Sequence, residues 1–172
     1  IYCLESGKCN QEIYISKKAH GNKQDNHHIN DLCIFGNSLF VSMFSISGNW
    51  TNECYDGGVV EIDLISREEN IEFTTVIQNL WMPHSISRFK GSLITIDSMR
   101  GQLLDLNWRV VGEFSGFVRG LDFSDGKFIL GVSEHRYPEK LPRSVLNIPI
   151  NSAIVLFDPQ TKLSKSISIE NT

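Results

Sequence analysis

Apolar residues fall in short runs along this chain, interrupted every few positions by Gly, Asn, Asp or Ser. Helical spacing is almost absent, and the pattern predicts short strands joined by tight turns. The runs also repeat. Residues 32–41 place two apolar strands around a two-residue turn, and the same order returns over 86–95 and 121–130. The turns Gly36-Asn37, Lys90-Gly91 and Asp125-Gly126 contain residues that tolerate the positive φ a two-residue hairpin needs.

A second unit follows each copy of the first, over 57–63, 101–107 and 152–158. Each copy opens on a small residue, runs through an apolar strand and ends on Asp or Asn. A further strand is predicted to complete each set, over 71–77, 109–114 and 165–169. Strands in recurring sets of four predict an all-β fold, a partial β-propeller with about three four-stranded antiparallel blades. A β-sandwich is the alternative, but it does not require the small-residue start and the Asp or Asn end to recur in register. The predicted blades are 27–79, 80–115 and 116–172. Residues 1–26 are expected to be the end of a preceding blade or an irregular segment, with strand remnants near 1–4 and 12–16.

Closed propellers use about four to eight blades, so three blades predict a larger ring. The missing blades are expected from the rest of the chain, with a second copy as the alternative source. Left open, the arc is expected to self-associate. The chain opens on Ile1 and not Met, so upstream sequence is expected as well.

Composition narrows the partners. With 172 residues, 41% hydrophobic and 21% charged, the chain is long enough for a substantial core and unlike a disordered segment. A net charge of −4 and scattered lysines give no basic footprint, so no nucleic-acid partner is expected. No apolar stretch approaches the roughly 20 residues that span a bilayer, and the default expectation is a cytoplasmic protein without a membrane partner. Four cysteines without a C-x-x-C pair make neither a disulfide framework nor a zinc site, and Cys33 reads as a small core hydrophobe. Asn49-Trp50-Thr51 fits the N-glycosylation acceptor pattern, which matters only in a secreted protein.

Aligning the repeats by their turns brings Asn30, His84 and Arg119 to one equivalent position, just before the first strand of each blade. In a propeller that strand is innermost, so the three would ring one mouth of the channel. They would offer donors, an acceptor and a fixed positive charge to a small polar or anionic ligand, since Arg grips carboxylate or phosphate through two hydrogen bonds. His28, two residues before Asn30, would point to the same side, and His27 away from it. Glu134 and His135 open a long Pro-containing insertion over 137–151 that reads as a loop over this face. His28, His84, Glu134 and His135 are candidate ligands for a divalent metal, although no i,i+4 His pair is present. Asp97 and Asp122 read as structural. There is no G-x-S-x-G elbow, P-loop or dinucleotide fingerprint, and the neighbours His84 and Ser85 point apart on a strand.

His28-Ile29-Asn30-Asp31-Leu32, Met82-Pro83-His84-Ser85, Asp97-Ser98-Met99-Arg100-Gly101-Gln102-Leu103 and Gly116-Phe117-Val118-Arg119-Gly120-Leu121 also occur in this order in a bacterial family. The chain resembles that family, catalogued as domain of unknown function 4915, over roughly residues 27–172. The resemblance implies a six-bladed type of propeller in a longer chain and supports the position of the site. It carries no activity.

The leading expectation is therefore a propeller module that binds a small polar or anionic molecule, or a protein partner, at Asn30, His84, Arg119 and His28. The alternative is a metal-assisted hydrolase or lyase similar to the gluconolactonase and streptogramin-lyase propellers, with His84 and either His28 or His135 as ligands or general base. A structural platform for other proteins is the third reading.

Overall fold

The computed structural model describes residues 5–8, 12–17, 24–51, 55–65, 73–135, 138–140 and 151–169. These residues form twelve strands and, apart from a 3₁₀ turn at Pro138–Lys140, almost no helix. No helix among them is long and apolar enough to cross a membrane.

The strands fall into three four-stranded antiparallel sheets. The first contains β1 (Ile29–Phe35), β2 (Ser38–Met43), β3 (Gly57–Asp63) and β4 (Phe73–Leu80). The second contains β5 (His84–Phe89), β6 (Ser92–Asp97), β7 (Gln102–Asp105) and β8 (Val110–Glu113). The third contains β9 (Phe117–Ser124), β10 (Lys127–Ser133), β11 (Ala153–Phe157) and β12 (Ser164–Ser168). In each sheet the strands lie in chain order. The all-β expectation thus holds to the level of three four-stranded antiparallel sheets.

Turn chemistry sets the first hairpin of every sheet. Phe35 pairs with Ser38, Phe89 with Ser92 and Ser124 with Lys127, so each loop has two residues. Both loop residues are left-handed at Lys90-Gly91 and Asp125-Gly126, whereas only Gly36 is left-handed in the first loop. These are the two hairpin geometries whose twist suits paired strands.

The small residues that open the third strands also have a physical cause. A Cβ on Gly58 would lie 2.3 Å from the Ile77 carbonyl oxygen, and one on Gly101 would lie 2.1 Å from the Phe114 carbonyl oxygen. In both sheets the chain around the fourth strand closes onto the start of the third.

The sheets stack in series, with β5 lying between β1 and β9. Phe40, Val59, Ile77 and Leu80 of the first sheet meet Ile86, Leu93 and Leu104 of the second. Ile94, Ile96 and Leu103 on the other side of the second sheet meet Phe128, Leu130, Val155 and Phe157 of the third. Between its bulges the second sheet therefore alternates, sending successive residues to opposite neighbours.

Two expectations need correction at the edges. Residues 12–17 form no strand; Ile13 and Ile15 pack against the first sheet without pairing to it. Cys33 is half-buried beside the first seam and not sealed in a core. The predicted remnant at 1–4 and most of the insertion at 137–151 lie outside the described residues.

Candidate functional site

The first strands start, and the second strands end, at one end of the stack, because each such pair is a hairpin. The residues just outside those hairpins gather there. The result is a file of rings across all three sheets. Trp50 lies 4.5 Å from His28 between ring centroids, and His28 lies 4.5 Å from Phe44. Phe44 lies 5.0 Å from His84, His84 lies 5.4 Å from Phe117, and Phe117 lies 6.0 Å from His135. Phe44 and Phe117 are buried and pack with Met82 and Met99, which fixes the file from beneath. The Phe44–His84, His84–Phe117 and Phe117–His135 pairs meet edge to face, a geometry worth about 0.5–1.5 kcal/mol beyond burial for aromatic pairs.

Each imidazole is held differently. His28 has a left-handed backbone, φ 50°, so its own N–H turns toward Asp25. Asp25 accepts that N–H at 2.7 Å through Oδ1, and its Oδ2 lies 2.5 Å from His28 Nδ1. Trp50 Nε1–H donates to the Asp25 carbonyl at 2.6 Å, tying the outer ring to the same turn. His84 Nδ1 lies 3.1 Å from the Met82 carbonyl and 2.9 Å from Ser98 Oγ. A nitrogen facing a carbonyl must donate, so the neutral tautomer carries its lone pair on Nε2. His135 is buried, its Nδ1 has no hydrogen-bond partner among the described residues, and burial pushes its pKa below the ordinary histidine value. It sits in the file as a neutral ring.

Arg119 spreads over the Phe117 ring, 5.3 Å from its centroid, and donates to Ser133 Oγ at 2.8 Å. Asn30 instead works behind the file. Its Nδ2 donates to the His28 carbonyl at 3.1 Å and to the Pro83 carbonyl at 3.2 Å, fastening the first sheet to the second. Glu134 is exposed, and its carbonyl accepts from Ser133 Oγ at 3.2 Å. His27 turns inward: Nδ1 donates to the Ser45 carbonyl at 2.8 Å and Nε2 lies 2.7 Å from Ser16 Oγ.

Of the residues singled out from the sequence, His28, His84, Arg119 and His135 come together along one file, and Asn30 supports it. Asn30, His84 and Arg119 lie inside their strands, not before them. Asn30 falls in the bulge of β1, while His84 and Arg119 occupy the last regular pairs before the bulges at Ser85 and Gly120. His28 lines a groove of ≈370 Å³ with Asp25 and His27, and Arg119 lines a separate groove of ≈200 Å³ with Ser133 and Ile154. Phe44 stands between His28 and His84, and Phe117 between His84 and His135. Among the described residues no three His, Cys, Asp or Glu side chains are grouped to hold a metal ion.

Reading the sequence missed Asp25, Phe44, Trp50, Ser98 and Phe117. Asp25 had a signal, a carboxylate three residues before His28, but the other four lie on loops or strand ends whose meeting depends on the stacking. The set brings flat aromatic faces, imidazoles and a guanidinium to one rim.

A stack of three antiparallel sheets with a ring-lined end is the class the coordinates define. Residues 12–153 match the model of the family described as Domain of unknown function (DUF4915), and the chain belongs to that family. The match takes in 12–26, which the motifs alone had set aside, and stops at Ala153, within the third sheet. No curated protein and no solved structure matches the chain.

Proposed function

We propose that the three sheets are consecutive blades of a β-propeller and that the ring file is the mouth of its ligand site. The propeller reading is supported by three meanders of four strands stacked in series, with their first strands adjacent. The binding reading is carried by one observation: the file from Trp50 to His135 draws on the same end of all three sheets. Such a mouth binds a small polar or anionic molecule without transforming it. Arg119 supplies the fixed positive charge, His84 Nε2 accepts a hydrogen bond, and the aromatic faces exclude water from the bound group.

The test is a thermal-shift and calorimetric panel of small carboxylates, phosphate esters and sugar acids. A ligand at about one hundred times its dissociation constant stabilises the fold by about 2.7 kcal/mol. The Arg119→Gln and His84→Ala variants are expected to lose most of that response. If both variants respond as the parent does, the mouth is not the site.

A second reading has its own observation. The carboxylate of Asp25 holds His28 Nδ1, the arrangement that prepares the opposite nitrogen as a general base. Turnover of a lactone or ester that disappears in His28→Gln, with ligand affinity kept, would favour that reading over simple binding.

A further inference from the structure

The turn that joins β6 to β7 carries a second arginine, which the ring file does not use. Trp81 is pinned to this turn through both of its backbone groups. Its N–H donates to Asp97 Oδ1 at 3.1 Å, and its carbonyl accepts the Met99 N–H at 3.1 Å. Its indole packs on the buried cluster of Phe44, Met82, Met99 and Phe117. The Tyr55 ring, 44% exposed, lies 4.6 Å from the Trp81 ring between centroids. Arg100 covers the same indole, its guanidinium carbon 4.3 Å from the centroid.

That guanidinium is engaged along one edge. Nη1 donates to Asp97 Oδ2 at 2.9 Å and to the Asn79 carbonyl at 3.2 Å, while Nε and Nη2 have no hydrogen-bond partner among the described residues. Nε and Nη2 together form the fork that grips two oxygens of one oxyanion, and 33% of the side chain is exposed. An arginine already laid on a ring and tethered loses little further freedom when a ligand arrives. The connection that presents Trp81 is itself strained. Asn79 and Met82 are left-handed, with φ 59° and 52°, and neither is glycine. Such backbone persists only where its surroundings impose it, and it gathers at ligand sites.

We propose that Arg100 anchors a second ligand site, which takes a small organic carboxylate on its Nε and Nη2 hydrogens beside the Trp81 and Tyr55 rings. The site needs neither the propeller reading nor a ligand at Arg119. Asp97 makes it sensitive to pH. The elements around that carboxylate are the connection from β4, which brings the Trp81 N–H, β7, where Gln102 pairs with it, and the turn with Arg100. Gln102 Nε2 donates to the Glu113 carboxylate at 2.7 Å, and Tyr55 is the titratable ring on Trp81. The charge that acts on Asp97 is that of Arg100. Burial raises the Asp97 pKa to about 6, so at about pH 7.5 it is ionised and balances Arg100. At about pH 5.5 it is mostly protonated and leaves the guanidinium charge to the ligand.

Benzoate titrations followed by tryptophan fluorescence test the site, at constant ionic strength with chloride as the balancing anion. A carboxylate probe stays ionised at both pH values. The expected result is a saturable change in emission, with affinity about fivefold higher at the lower pH, the low end of usual coupling between two sites. Arg100→Gln is expected to abolish the change. Arg100→Lys keeps the charge but loses the fork, and is expected to lose most of the affinity. Unchanged far-UV spectra check that both variants fold. Asp97→Asn is expected to flatten the pH dependence. No saturable response at either pH overturns the proposal, as does a response that Arg100→Gln leaves intact. If the response falls in Arg119→Gln instead, the mouth is the site, and the binding reading stands while this one fails. A response lost in Arg100→Gln and kept in Arg119→Gln establishes the second site whatever the mouth does.

Discussion

The two seams between the sheets do the same job with different materials. The first is aliphatic, built on Val59, Ile77, Leu80, Ile86, Leu93 and Leu104, and it is crossed by polar ties. Asn30 Nδ2 and Ser42 Oγ donate to the Pro83 carbonyl, the Ile86 N–H donates to Asp31 Oδ2 at 3.0 Å, and Arg88 donates to the Ile34 carbonyl. The second seam is filled with phenylalanine. Phe89, Phe123 and Phe128 lie 4.7 to 4.9 Å apart as a triangle, and Phe157 extends it. Its polar ties are the Val118 N–H to the Ser98 carbonyl and Lys162 Nζ to the Val111 carbonyl. Interlocking rings supply burial area, whereas directed hydrogen bonds fix how two sheets are set against each other. The seam nearer the Asp25–His28 turn is the one with more of the directed kind.

The largest expected effect breaks this contrast at its aromatic end. Phe128 is fully buried, and its equivalent in the first seam is Leu93, at 4% exposure. Phe128→Ala should cost about 3–5 kcal/mol and Leu93→Ala about 2–5 kcal/mol, toward the lower end because fewer ring contacts are lost. Urea midpoints at one fixed protein concentration measure both. Equal losses would mean that the phenylalanine triangle adds nothing beyond ordinary core burial.

The hairpins and sheets were legible because each turn states its own geometry: Asp125-Gly126 can be left-handed twice, and so it forms a two-residue loop. The small residues opening the third strands were legible as a pattern, and the carbonyls facing Gly58 and Gly101 give the reason. The site was only partly legible. Counting back from a turn assumes an unbroken ladder, and the bulge in β1 comes at Asn30, one residue further from the turn than those at Ser85 and Gly120. Turn-counting therefore equates a bulged Asn with a paired His and a paired Arg. Ile13 and Ile15 alternate as a strand would, yet packing alone satisfies them. Phe44 and Phe117 are buried; that they separate three imidazoles is a fact of stacking, and no local pattern encodes it.

A middle-sized effect belongs to the rim of the first seam. Asp97 ends β6 fully buried, accepting the Trp81 N–H at 3.1 Å and Arg100 Nη1 at 2.9 Å, while Arg100 covers the Trp81 ring at 4.3 Å. Burial raises its pKa from 3.8 to about 6, with the Arg100 charge and the hydrogen bonds pulling the other way. The folded state therefore holds a proton that the unfolded chain has lost between about pH 4 and 6. Stability from this group is full below 3.8, falls as pH rises through 6, and is flat above it. About two pH units at 1.36 kcal/mol each make the change on the order of 3 kcal/mol. Buried His135 acts in the opposite direction, losing stability as pH falls below 6.5, so the measurement is a difference. The parent minus Asp97→Asn should show the full slope between about pH 4 and 6 and little change above that. Parallel curves would show that Asp97 does not titrate in the fold.

The smallest expected effect compares how the two seams turn the same corner. Ser85 and Gly120 hold equivalent bulges, each between the two pairs that close its first hairpin, and both are left-handed, with φ 61° and 70°. Glycine adopts that conformation freely, and a residue with a Cβ gives up about 1–2 kcal/mol. The Ser85 carbonyl accepts from Thr95 Oγ1 at 2.8 Å, a bond that the backbone keeps whatever side chain it carries. Ser85→Gly therefore removes strain and keeps the tie, but it also loosens the unfolded chain, so the net gain is up to about 1 kcal/mol. Gly120→Ser runs the exchange backwards. A Cβ at Gly120 meets nothing within 4 Å, so the loss of about 1 kcal/mol there is conformational and owes nothing to crowding. Opposite shifts in the two urea midpoints would establish that the corner is shared and that Ser85 bears its strain for the sake of the side chain. A loss at Ser85→Gly would instead mean that the hydroxyl, one residue along from His84, stabilises the first seam by more than the left-handed turn costs it.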